Sequence, residues 1–172
     1  MPAVQSFPPI AAPGATLLIL GSMPGKASLQ AQAYYAHPRN LFWPLLEQIL
    51  GIPTTQPYPG RCAALTAAGI AVWDVLQTCT RDGSLDADID PRSIVANDFN
   101  TFFAAHPHIT RLCFNGSAAA RIYTRHVLPT LPANLAALPR LPLPSTSPAN
   151  ASIPLACKRA AWQTALAPVT QS

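Results

Sequence analysis

Short apolar runs alternate along the chain with longer segments in which apolar residues return every three or four positions. Thr16–Leu20 reads TLLIL and stops at GSMPG. An apolar run closed by glycine and proline predicts a buried strand that feeds a loop. Leu41, Phe42, Leu45, Leu46, Ile49 and Leu50 recur at helical spacing until Gly51 ends the run, which predicts a helix. Pro44 falls in its first turn, where a missing N–H costs little. RCAALTAAG predicts a second short helix closed by Gly69, and IAVW (Ile70–Trp73) a second strand. TRDGSLDADIDPRS is a loop by composition, and NDFNTFFAAH suits a helix starting near Asn97 or Asp98. TRLCF (Thr110–Phe114) predicts a third strand. NGSAAARIYTRH turns at Gly116 into a helix with Arg121 and Arg125 on one face. RLPLPSTSPAN supplies a fourth short strand and then a loop, and LACKRAAWQTAL the last helix.

Strands alternating with helices predict an α/β fold with a mostly parallel, four-stranded sheet covered on both faces. Ligands of such sheets bind beyond the carboxyl ends of the strands. The segments expected there are GSMPG with YYAHPRN, the region after Trp73, FNGS, and PSTSPAN. They are also the polar, glycine- and serine-rich stretches, so the site is expected among them. The 172 residues suit one domain, with residues 1–15 as a proline-rich leader and no visible repeat.

Composition narrows the class. Hydrophobic residues make up 49% and charged residues 10%, which excludes a disordered chain. Twenty prolines predict many fixed turns. No apolar run approaches a membrane span, and MPAVQSFPPIAAPG lacks the pattern of a secretory signal, so a cytoplasmic protein is expected. Cys62, Cys79, Cys113 and Cys157 include no CxxC pair, which argues for reduced, mostly buried thiols rather than a metal centre. His106 and His108 flank Pro107, but no third metal ligand is evident.

The net charge of +4 is unevenly spread. Asp98 is the last acidic side chain, and Arg111, Arg121, Arg125, Arg140, Lys158 and Arg159 follow it. A basic C-terminal half suits a polyanionic partner such as nucleic acid. Arg81–Asp98 is acidic instead.

GSMPG lacks the spacing and terminal Gly-Lys-Ser/Thr of a phosphate-binding loop, and GxGxxG is absent. Taken with YYAHPRNLFWPLL and with LPSTSPAN near the C-terminus, however, it resembles the uracil-DNA glycosylase superfamily. The match is best to the hypoxanthine-DNA (deoxyinosine) glycosylase branch, often called its sixth family. The resemblance spans Leu17 to about Asn150. It implies a three-layer α/β/α sandwich, a flipped base in DNA, and hydrolysis of that base's N-glycosidic bond. Hypoxanthine is the leading substrate and uracil the alternative within the class. The mismatch-specific uracil glycosylases look more distant.

The residue chemistry agrees. Hydrolytic base removal needs a water aimed at the anomeric carbon and stabilisation of the charge that develops. An amide side chain can hold such a water, and no metal or other cofactor is required. A lyase reaction would want a placed lysine, and Lys26 and Lys158 fall outside the matched motifs, so a monofunctional enzyme is favoured.

The resemblance also assigns roles. Where much of the superfamily carries an Asn or Asp in the first motif, this chain has Met23, and the water-positioning role falls to Asn40. Asn40 also stands where a helix cap is expected. Tyr35 matches the ring placed on the flipped base, with Gly21, Ser22 and Met23 beside it. His37 either contacts base or sugar or is structural. Asn115 either reads the base edge or serves a turn. Ser145, Thr146 and Ser147 offer hydroxyls to phosphates, and Pro148, Ala149 and Asn150 form a wedge in the minor groove. The histidine that stabilises the leaving base in several relatives is missing from PSTSPAN. The protein is expected to act as a monomer. A non-catalytic damage-binding module, supported by Met23, and a small-molecule hydrolase are the readings from other classes.

Overall fold

The central strand is β2 (Leu17–Gly21), and all five of its residues are buried. Burial on both faces requires a continuous apolar run, which TLLIL supplies. The computed structural model, which describes residues 2–170, pairs β2 in parallel with β3 (Ile70–Asp74) and with β6 (Arg111–Asn115). Strand β7 (Arg140–Leu143) adds to β6, giving a four-stranded parallel sheet in the order β3-β2-β6-β7.

Alternate side chains of β2 feed two cores, as the pleat demands. Leu17 and Ile19 pack with Phe42, Leu45 and Leu46 of α2 (Phe42–Leu50), Leu65 of α3 (Tyr58–Ala67) and Trp162 of α7 (Leu155–Thr170). Leu18 and Leu20 pack with Phe99, Phe102 and Phe103 of α4 (Phe99–Ala105) and Tyr123 of α5 (Ser117–His126). The result is the expected α/β/α sandwich. Asp98 caps α4 through the Thr101 N–H at 3.1 Å. Among the described residues the cysteines are free, two buried, Cys62 half-buried and Cys157 exposed.

Several elements differ from the sequence pattern. Ala3–Gln5 of the leader forms a strand, β1, that pairs antiparallel with β4 (Leu76–Thr80), and β4 pairs in turn with β5 (Val95–Ala96). This three-stranded sheet escaped the pattern because its strands are two to five residues long and their burial hardly alternates. Helix α1 (Lys26–Ala31) interrupts what reads as a loop after GSMPG. A one-turn helix, α6 (Ala133–Ala136), precedes β7.

The strands run one residue further than their apolar runs. Register pairs Gly21 with Asp74 at one carboxyl end, and Asn115 with Leu143 at the other. Gly21, Asp74 and Asn115 are polar or small, and they frame the site.

Candidate active site

A cavity of about 310 Å3 opens at the carboxyl ends of β2, β3 and β6. Its lining draws on the β2–α1 turn, the segment between α1 and α2, Asp74, the loop after β4, Asn115, and Ser145 to Ala149. Gly21, Ser22, Met23, Tyr35, His37, Asn40 and Asn115 all reach it. Asn150 lies outside this lining and works on the loop instead. Its Nδ2 donates to the Ser145 carbonyl at 3.2 Å, and its own carbonyl accepts from the buried Lys158 Nζ at 2.6 Å.

The segment between α1 and α2 is held from behind. Trp43 Nε1 donates to the Tyr34 carbonyl at 3.0 Å, and the Tyr34 N–H donates to the Tyr58 hydroxyl at 3.1 Å. Pinned at Tyr34, the chain places Tyr35 at φ +56°. That left-handed conformation is unfavourable for a side chain of this size, and such strain concentrates at functional sites. The Tyr35 ring stacks on Phe42 with centroids 4.1 Å apart, so one face is committed to the core.

Asn40 makes the bond of a cap without occupying the cap position. Its Oδ1 accepts from the Phe42 N–H at 2.9 Å, while Leu41 is the last residue before α2. The bond uses one lone pair of the amide oxygen and leaves the NH2 group uncommitted among the described residues, so capping and water positioning are compatible. The Leu41 N–H donates to the Thr146 carbonyl at 3.0 Å, which ties this segment to the Ser145–Asn150 loop. His37 has a structural duty, since its Nδ1 accepts from the Arg39 N–H at 3.0 Å.

One pairing bears on both Asn115, for which two roles stood open, and Thr146. Asn115 is paired on both sides of its amide: Nδ2 donates to Thr146 Oγ1 at 2.9 Å, and Oδ1 accepts from the Thr146 N–H at 2.9 Å. It therefore fixes the loop to the end of β6 and has little amide left to read a base. Thr146 is fully buried by the same pair, so its hydroxyl is not a phosphate contact. Ser145 and Ser147 are half-buried, and each accepts a backbone N–H two residues on, at 3.1 and 3.2 Å. Such bonds shape the turn and leave both O–H groups as donors. Met23 is 8% exposed and packs with Leu76, Cys79 and Ile89, so the residue in the usual catalytic place contributes shape only.

The sequence reading missed Asp74 and Asp86. Asp86, in the loop after β4, accepts from the Ser22 hydroxyl at 2.5 Å and draws that acidic loop against the β2–α1 turn. The Lys26 N–H donates to Ser84 Oγ in the same loop at 2.9 Å. Asp74 is 3% exposed, and its Oδ2 has no hydrogen-bond partner among the described residues. Burial pushes its carboxyl up to about 7; Asp86 adds to the shift and Arg81 opposes it. A charged residue directly after a wholly apolar strand, at the ligand-binding end of a parallel sheet, was the signal that could have found it.

The geometry of the β2–α1 turn explains why glycine stands at position 21. A methyl there would lie 2.6 Å from Asp74 Oδ1 and 3.0 Å from the Tyr35 hydroxyl. Tyr35 Oη is itself buried, with no hydrogen-bond partner among the described residues. Burial first, then Asp74, pushes this phenol well above its ordinary range, and Asn115 opposes the shift, so it stays protonated and can donate its proton in a hydrogen bond.

Comparison with known proteins agrees with the motifs. The profile of the uracil DNA glycosylase superfamily matches residues 8–166. A hypoxanthine DNA glycosylase of Methanosarcina barkeri is 37% identical over 113 residues, covering 65% of this chain and 70% of that protein. One from Methanosarcina acetivorans is 34% identical over 116 residues, covering 67% and 72%. The solution NMR structure of a candidate uracil DNA glycosylase from Methanosarcina acetivorans superposes with a TM-score of 0.81. Sequence identity there is 27%, with 98% of this chain and 99% of the other covered.

Proposed function

Because the chain belongs to the uracil DNA glycosylase superfamily, we propose that it is a monofunctional DNA glycosylase that flips out hypoxanthine and hydrolyses its N-glycosidic bond. The observation that carries this reading is the cavity at the strand ends, where Asn40, Tyr35 and the Ser145–Ala149 loop meet. The similarity to two hypoxanthine DNA glycosylases supports the choice of base.

In this reading the flipped nucleotide enters beside Tyr35, whose hydroxyl donates to the base. Asn40 holds a water with its amide NH2 group and the remaining lone pair of its oxygen, aimed at the anomeric carbon. The sugar cation forms as the base departs, and the held water adds to it. Pro148 and Ala149 fill the gap in the duplex, while Ser145 and Ser147 donate to flanking phosphates. Asn150 and Lys158 keep that loop in shape. The protein works as a single-domain, cytoplasmic monomer.

Duplexes holding one deoxyinosine, one deoxyuridine or only normal bases test the reading. After incubation and hot alkali, strand breaks are expected at deoxyinosine first. Tight binding to the lesion duplex without any alkali-labile site would instead make this a damage-binding module.

A further inference from the structure

The site as described leaves one chemical need unmet. A departing purine carries negative charge, and PSTSPAN offers no histidine to neutralise it. Asn115 is occupied by Thr146, and Ser22 by Asp86. Asp74 remains. It lies on the cavity wall, is almost fully buried, and keeps one carboxyl oxygen without a partner. Its Oδ1 lies only 2.6 Å from where a methyl on Gly21 would stand, so the glycine leaves it room. Register with Gly21 at the end of β3 fixes its backbone. A buried carboxyl on a cavity wall, with one oxygen unpaired among the described residues, is a costly feature for stability alone.

We propose that Asp74 is the proton donor to the departing base. The proposal rests on the glycosylase reading above. A proton passes from the Asp74 carboxyl to a ring nitrogen or the carbonyl oxygen of hypoxanthine. The bond between the anomeric carbon and the glycosidic nitrogen breaks, and its electron pair leaves with the base. Water adds to the sugar cation and releases one proton to solvent, and Asp74 recovers one from solvent after the base departs. Atoms and charge balance with no further reactant.

The surroundings suit a carboxyl that is still protonated near neutral pH. Asp86 faces it from the loop after β4 and disfavours its ionisation, and Arg81 favours it. Tyr34 and Tyr35 face it from the segment between α1 and α2, and both phenols are held above their ordinary range. The His37 imidazole lines the same cavity.

The test is the pH dependence of single-turnover excision from a deoxyinosine duplex, with enzyme in excess. For the wild type, the rate should be level on the acid side and fall as pH rises past about 7. Asp74→Asn should bind the duplex normally, lose about 100- to 10,000-fold in rate on the acid side, and show no decline with pH. His37→Gln should retain the decline, which separates the two groups. An Asp74→Asn rate within a few-fold of wild type, or an unchanged pH profile in that variant, would overturn the assignment. A wild-type rate that does not fall through neutrality would overturn it too, even if the variant failed to fold. A wild type that excises nothing would instead defeat the glycosylase reading.

Discussion

Asn40 has two duties in this account, and substitution separates them. Asn40→Ala removes the acceptor of the Phe42 N–H bond at 2.9 Å. Loss of such a cap costs about 0.5–2 kcal/mol. For a chain of this size that lowers the melting temperature by about 2–4 °C for each kcal/mol. The same change removes the amide that aims the water. Misplacing a reactant by about 1 Å can cost on the order of 100-fold in rate, so a loss at least that large is expected. Asn40→Ser supplies the control, because serine caps about as well as asparagine but lacks the reach and the NH2 donors. Thermal unfolding and single-turnover excision, run on both variants, give the comparison. Asn40→Ala should be less stable and nearly inactive, and Asn40→Ser nearly as stable as wild type and equally inactive. A less stable Asn40→Ala that excises at the wild-type rate would leave the residue a cap and nothing more.

Other perturbations reach the same site by different physics. Gly21→Ala would place a methyl 2.6 Å from Asp74 Oδ1 and 3.0 Å from the Tyr35 hydroxyl, so it should displace both. A stability loss of about 1–3 kcal/mol with excision abolished is expected, checked by denaturant unfolding and the alkali assay. Asp74 also makes stability depend on pH. Its folded value of about 7 lies above the ordinary carboxylate range. The folded state therefore holds the proton longer than the unfolded one, and stability falls between about pH 4 and 7 and then levels. Asp74→Asn lacks that loss. Its advantage over wild type should grow through this window, to about 4 kcal/mol at most, as read by urea unfolding at a series of pH values. Affinity for duplex DNA should fall steeply and log-linearly with salt if the basic C-terminal half meets phosphates, and a flat dependence would exclude that contact.

Three strands of the main sheet were legible because their middles are buried on both faces. The apolar stretches LLIL, IAVW and LCF follow from that burial, and so they stand out. The small sheet was not, since β1, β4 and β5 are short and mix polar with apolar positions. Most of the cavity lining was legible for a different reason, namely three motifs whose combination resembles a family. That route finds residues the family uses and passes over what lies between its motifs. Asp74 sits in such a gap, and its importance depends on burial and on a missing partner, neither of which spacing reveals. Thr146 and Asn115 show the opposite failure. Thr146 falls in PSTSPAN and Asn115 at the end of the third strand, but their side chains satisfy each other.

The central claim is hydrolysis of the bond between hypoxanthine and deoxyribose in DNA. Reaction of a deoxyinosine duplex in water enriched in heavy oxygen, followed by mass spectrometry of both products, tests it directly. Free hypoxanthine without label, and an unbroken strand with one labelled oxygen at the abasic sugar, are predicted. An unreacted duplex, or a strand already cleaved at the sugar without alkali, would contradict the account.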